Sequence, residues 1–201
     1  NTLITEKSKV SPIDFYATQK YLSEKATRWL NRSPLIFRFG TLFGYSPRMR
    51  FDLVINLFVA QAIKEGKITV FGGNQNRPFL HVDDAAESIV FGLENNLTGT
   101  YNVISENFTM LQAAKKVSEI TGCEIQIKAE VEDERHYEVS ADKLSLTGFR
   151  PSKKLTDGIK EIIDVFSDGK IKDFNDKKYS NYEILLDKHE TDELLKKRLF
   201  S

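Results

Sequence analysis

The stretch Leu35-Ile36-Phe37-Arg38-Phe39-Gly40 is short, apolar but for one arginine, and closed by glycine. That pattern suits a strand buried on both faces, the kind found in a parallel sheet covered by helices. It lies between two stretches of helical period. Upstream, residues 14–30 place Phe15, Leu22, Ala26 and Trp29 at helical spacing, with Pro12 just ahead and Asp14 as the candidate cap. One face of that helix is expected to point inward. Asn31-Arg32-Ser33-Pro34 ends it. Downstream, residues 51–65 give a second amphipathic helix that stops at Gly66.

The alternation continues further along. Residues 68–71 read as a strand, Gly72-Gly73-Asn74-Gln75-Asn76 as a turn, and 78–82 as extended chain. A helix capped by Asp83 or Asp84 reaches Glu94, and a strand follows at 100–104. Thr109-Met110-Leu111-Gln112 is a capping-box pattern that opens a helix ending at Gly122. Short strands at 124–128 and 137–140 precede a helix over 156–166. Strands alternating with helices of this length imply an α/β domain with a largely parallel sheet. The compact part is read as 1–166. Beyond it, 167–201 holds basic and acidic residues in equal number and reads as a charged C-terminal extension. A terminal helix over 192–200 would offer Leu194, Leu195 and Leu199 to the domain or to a partner chain.

Composition narrows the function classes. Lys+Arg and Asp+Glu both number 29, for a net charge of +0, whereas proteins of phosphate backbones or anionic membranes usually carry a basic excess. No nucleic acid or membrane partner is expected. The longest apolar stretch, 53–63, is broken by Asn56 and Gln61 and is too short to span a bilayer. The chain opens Asn1-Thr2-Leu3, without an initiator Met and without a signal-peptide pattern. Cys123 stands alone, so no internal disulfide can form, and no Cys/His cluster has metal-ligand spacing. Reducing cytoplasm and no metal are the expectations.

The pair that carries chemistry is Tyr16 and Lys20, one helical turn apart and therefore on one face. A free phenol titrates near ~10 and is a poor base at neutral pH. A neighbouring ammonium favours the phenolate, which could then take a proton from an alcohol. Taken alone, the same spacing also fits a half-buried tyrosine beside a solvated lysine.

The run Ser11-Pro12-Ile13-Asp14-Phe15-Tyr16-Ala17-Thr18-Gln19-Lys20-Tyr21-Leu22-Ser23-Glu24 resembles the active-site helix of the extended short-chain dehydrogenase/reductase family, the NAD-dependent epimerases and dehydratases of nucleotide sugars. Phe37-Arg38-Phe39-Gly40-Thr41-Leu42-Phe43-Gly44-Tyr45-Ser46-Pro47 resembles that family's strand and loop beside the nicotinamide. Asn76-Arg77-Pro78-Phe79-Leu80-His81-Val82-Asp83-Asp84 resembles its Arg- and His-bearing segment. Arg135 sits where members carry a second arginine, ahead of Gly148-Phe149-Arg150-Pro151.

The resemblance implies the second half of a Rossmann-like doubly wound parallel sheet with a small α/β substrate-binding lobe. It implies Tyr16 as catalytic base and Lys20 as holder of the nicotinamide ribose, with Phe39, Gly40 and Thr41 lining the cofactor. Asn56 and Leu57 would contact a nucleotide-diphosphate sugar, and Arg77 and Arg135 would grip its diphosphate, a task suited to a guanidinium. His81 reads as structural. A homodimer is expected by the same resemblance.

The chain also departs from the family. None of the eleven glycines falls in the Gly-rich spacing that a dinucleotide pyrophosphate needs. The catalytic Ser or Thr would precede Asn1, and Thr41 stands where many epimerases carry Asn. Either the first half of the fold lies outside this sequence, the favoured explanation, or the protein is naturally this short and lacks the usual cofactor site. The leading expectation is NAD-dependent oxidation at C4 of a nucleotide sugar, as epimerase or dehydrogenase, with a 4,6-dehydratase next. A non-catalytic nucleotide-sugar binder and an interaction module built on the charged tail are the alternatives from other classes. NADP stays open as cofactor, because the residue that selects it follows the fold's second strand.

Overall fold

The computed structural model describes residues 3–129 and 137–186. In chain order its elements are β1 (Leu3–Ile4), α1 (Phe15–Leu30), β2 (Leu35–Phe39), β3 (Thr41–Phe43), α2 (Val54–Glu65), β4 (Lys67–Phe71), β5 (Asn76–His81), α3 (Val82–Glu94), β6 (Gly99–Val103), β7 (Glu106–Thr109), α4 (Met110–Thr121), β8 (Glu124–Lys128), β9 (Glu138–Val139), α5 (Asp142–Ser145) and α6 (Leu155–Ser167). The helix ends follow the side chains. Asp14 Oδ1 accepts the Ala17 N–H at 2.6 Å and starts α1. Thr109 and Gln112 form a reciprocal capping box on α4, and Gly66 and Gly122 close α2 and α4 in the left-handed conformation that glycine adopts without penalty.

The strands pair in parallel with one exception. β2 runs alongside β6, from Leu35 opposite Gly99 to Phe39 opposite Val103. β3 runs alongside β5, β4 alongside β8 and β1 alongside β9, while β7 is antiparallel to β5. Gly40 is the handover between β2 and β3. Its N–H donates to Val103 O, and a Cβ there would crowd Pro78 O and Ile104 Cγ2 at 3.0 Å, so glycine eases the close approach where the strand changes partners.

β5 is buried along its whole length. Its successive side chains face opposite ways, and the two sides hold two cores. Phe79 belongs to the larger, with Phe43, Ile55, Val59, Ile68, Val117, Leu155, Ile159 and Ile162 drawn from β3, α2, β4, α4 and α6. Leu80 belongs to the smaller, with Ala85, Tyr101, Val103, Leu144 and Phe149. Apolar layers on both faces of a mostly parallel sheet are the doubly wound arrangement. Ile171, Phe174 and Tyr179, from the charged extension, join the larger core, where Phe174 and Tyr179 ring Phe51. The terminal helix expected over 192–200 lies outside the described residues.

The structure corrects the sequence reading in several places. β2 is half-buried along most of its length, in place of the two buried faces expected. α1 has no buried residue, and Phe15, Leu22 and Trp29 are 77%, 57% and 86% exposed in place of the inward face expected. The cap of α3 is His81, whose Nδ1 accepts the Asp83 N–H at 3.2 Å. Asp84 is fully buried and accepts the N–H groups of Ser152 and Lys153 and the Ser152 hydroxyl, tying the turn after Pro151 to α3. β3, β7 and α5 are additional elements, each too short to show a period of its own.

Candidate active site

α1 is fastened to the sheet by charge. Glu24 accepts from Arg38 Nε at 2.9 Å and Arg38 Nη2 at 2.7 Å, and from Arg28 Nη2 at 3.0 Å. Arg28 also donates to the Thr100 hydroxyl on β6. Foremost the hydrogen bonds from Arg38, against a cost of burial, hold the Glu24 carboxyl below the usual glutamate range. Two β-strands thus fix the azimuth of the helix that presents Tyr16 and Lys20.

Tyr16 and Lys20 share a face of α1, with Lys20 Nζ 5.4 Å from the centre of the Tyr16 ring. Tyr16 is 68% exposed. Phe39, at the C-terminal end of β2, stacks on Phe37 with ring centres 5.9 Å apart, and Gly40 and Thr41 follow it. Ligands of doubly wound sheets bind outside the C-terminal ends of the strands, the end at which Phe39, Gly40 and His81 stand.

The residues expected to bind substrate are less open. Asn56 is buried, its Oδ1 accepting the Gly44 N–H at 3.2 Å and its Nδ2 donating to Arg50 O at 3.0 Å. It pins the loop between β3 and α2. Leu57 is half-buried and packs against the larger core. Arg77 is buried on β5, where Nη1 donates to Asn76 O at 2.7 Å and the guanidinium lies 5.8 Å from the Tyr137 ring centre. Arg135 lies outside the described residues.

The sequence reading missed Arg50. It pairs with Asp52 through two hydrogen bonds of 2.9 and 2.8 Å. Asp52 above all, with a smaller share from the field of Tyr16, raises its pKa. The Arg50 carbonyl is the one that Asn56 holds. The signal was present as Arg48-Met49-Arg50 directly after the motif that ended at Pro47.

Among the described residues, His81, Asp83 and Glu161 are close enough together to suggest a metal site. The hydrogen bonds argue otherwise. His81 Nδ1 accepts from Asp83 N–H, which leaves the proton on Nε2, and that N–H donates to Glu161 Oε2 at 2.9 Å. Neither ring nitrogen has a lone pair to offer. An open groove of about 710 Å³ is lined by Tyr45, Glu161, Lys153, Lys160, Asp157 and Asp164, and by none of the residues expected to bind cofactor or substrate.

A family model described as "NAD dependent epimerase/dehydratase family" matches residues 2–103. UDP-glucuronic acid decarboxylase 1 of Arabidopsis thaliana is 34% identical over 139 residues, covering 64% of this chain and 32% of the relative. An uncharacterized UDP-glucose epimerase of Bacillus subtilis is 28% identical over 127 residues, covering 59% of this chain and 40% of the relative. Among solved structures, the UDP-glucose 4-epimerase of Thermotoga maritima with UDP-glucose superposes with a TM-score of 0.73 at 22% identity, over 85% of this chain and 59% of that one. The dTDP-glucose 4,6-dehydratase of Bacillus anthracis in complex with NAD gives 0.72 at 20%, over 85% and 57%. The chain spans between about a third and two fifths of the length of these curated relatives. The likeness to the solved structures establishes the Rossmann-like fold. On the match to residues 2–103, this chain belongs to the NAD-dependent epimerase/dehydratase family.

Proposed function

We propose that the protein containing this chain oxidises C4 of a nucleoside-diphosphate sugar, with Tyr16 as general base, acting as an epimerase or dehydrogenase. The observation that carries the reading is the Tyr16–Lys20 pair, one ammonium 5.4 Å from one phenol ring on an open helix face. An ammonium on the same helix face is the partner that suits a phenol taking up a proton from an alcohol. Tyr16 takes the proton of the sugar's 4-hydroxyl as its C–O bond becomes C=O. NAD, when bound, supplies the acceptor for the hydride that leaves C4.

The residues present suit the nicotinamide end of that cofactor: the Lys20 ammonium for the ribose diol, and Phe39 with the backbone at Gly40 and Thr41 for the ring. The pyrophosphate end would need a Gly-rich turn, which these 201 residues do not contain. Arg77, and Arg135 by sequence alone, are the diphosphate groups in this reading, and Asn56 and Leu57 line the nucleotide-sugar. NADP fits the same residues. The single buried Cys123 is in keeping with a reducing compartment, the cytoplasm. No helix among the described residues is long and apolar enough to cross a membrane. A homodimer through α1 completes the reading. Phe15, Leu22 and Trp29 lie two turns apart along one exposed face, the spacing at which two helices meet side by side.

A second outcome is favoured by the 34% identical relative, a UDP-glucuronic acid decarboxylase. In a hexuronic acid the carboxylate on C5 lies β to a C4 ketone. Its C–C bond can then break with loss of carbon dioxide, the electron pair passing toward the carbonyl and C5 taking up a proton. The test is Tyr16→Phe in the full-length protein, assayed with UDP-glucose and with UDP-glucuronic acid. Turnover should fall by about 10²–10⁴-fold while UDP-sugar binding stays within a few fold. Unchanged turnover would remove Tyr16 from the chemistry, and the substrate that reacts separates the two outcomes.

A further inference from the structure

The mechanism above uses neither His81 nor Glu161, yet these two residues meet the loop that leads to Arg50 and Asn56. Glu161, on α6, places one carboxylate oxygen against two donors. Oε2 accepts the His81 Nε2–H at 2.9 Å and the backbone N–H of Tyr45 at 2.9 Å. The His81 ring has almost no freedom. It is 1% exposed, meets Phe43 edge-on with ring centres 5.3 Å apart, and is capped at Nδ1 by the Asp83 N–H.

Two glycines make room for this ring. A Cβ on Gly44 would lie 2.4 Å from His81 Nε2, and one on Gly158 would lie 2.5 Å from Phe43 Cε2 and 3.0 Å from His81 Cδ2. Gly44 is also at φ +108°, a conformation that side chains strain. The consecutive peptides Gly44 and Tyr45 are thus gripped from two sides. Asn56 on α2 accepts the N–H of Gly44, and Glu161 on α6 accepts the N–H of Tyr45.

We propose that Glu161, oriented by His81, is a positioning residue that clamps the Gly44–Tyr45 turn and thereby sets Asn56 for the nucleotide-sugar. The inference rests on the reading of the site given above. Glu161 touches no substrate. It acts through one backbone N–H, at the point where β3 leaves the sheet and the chain begins its path to Arg50. An ordinary surface glutamate on α6 would have no reason to bond both a fully buried histidine and a loop peptide on another element. The carboxylate also needs no charge for this duty, because an amide oxygen accepts the same two hydrogens.

The test compares the full-length protein with its Glu161→Ala and Glu161→Gln variants. Glu161 is about one-third exposed on a helix, a site where alanine folds readily. Amide hydrogen exchange at Tyr45 and Gly44 reads the clamp, and titration with UDP-glucose reads the site. Glu161→Ala should speed exchange at Tyr45 at least tenfold and weaken UDP-glucose at least tenfold, while Glu161→Gln restores both to within about threefold. A Tyr45 amide that comes loose with no change in UDP-glucose affinity would overturn the positioning role alone. An unaltered Tyr45 amide in Glu161→Ala would overturn the clamp itself. Absence of UDP-glucose binding by the unaltered protein would overturn the nucleotide-sugar reading and, with it, this role.

Discussion

α1 and α2 have the same kind of sequence and opposite fates. Each places apolar residues at helical spacing. α2 buries Ile55, Phe58, Val59, Ala60 and Ala62 against β4, α4 and α6, whereas α1 buries none of its residues. What holds α1 is electrostatic: Glu24 between Arg28 and Arg38, and Arg28 on Thr100. Periodicity states which face of a helix is apolar. What covers that face depends on the rest of the molecule, so a pattern that predicts burial correctly in α2 misstates it in α1. The face left open is the one that carries Phe15, Leu22 and Trp29, next to the face bearing the candidate reacting groups.

The contrast can be broken by mutation. The largest effect belongs to the packed side. Phe79 is fully buried on β5, and Phe79→Ala should cost about 3–5 kcal/mol in urea unfolding through lost apolar burial and the cavity left behind. A loss under 1 kcal/mol would mean that β5 is not the centre of the core.

Next comes the charged fastening of α1. The Glu24 carboxyl is held below its ordinary range, chiefly by Arg38. A depressed folded value means that the stabilisation is present at neutral pH, above the unfolded carboxylate's titration, and is lost as pH falls through the folded value. Arg38→Met should therefore destabilise by about 1 kcal/mol at neutral pH, with the difference from the unaltered protein shrinking on acidification. A difference constant across the acid range would contradict the fastening. The smallest effect is at the open face. Trp29→Ala should change unfolding stability of the unassociated chain by under about 0.5 kcal/mol, yet shift the sedimentation profile from dimer toward monomer. A large stability loss would mean that Trp29 is covered within its own chain.

Most of the fold could be read from the residues, because its signals are local. The Asp14 cap, the Thr109–Gln112 box and the stop at Gly66 need only their neighbours in sequence. The errors arose where an outcome depended on distant partners. Asp84 has the look of a cap, but the N–H groups of Ser152 and Lys153 claim its carboxylate. β3 was hidden because Gly40, a strand terminator by rule, is here the position at which one strand exchanges partners. The site divides along the same line. Tyr16 and Lys20 announce themselves by spacing within one helix. The contact between His81 and Glu161 joins residues on β5 and α6, so no window of sequence contains it.

The central claim is that a hydrogen leaves C4 of the sugar at the face bearing Tyr16 and Lys20. The most direct measurement is turnover of the full-length protein on a UDP-sugar carrying deuterium at C4, beside the same sugar unlabelled. Transfer of that hydrogen in the chemical step predicts slower single-turnover conversion of the labelled sugar, with no conversion of either by Tyr16→Phe. Equal rates for the two sugars, with Tyr16→Phe as active as the unaltered protein, would contradict the account.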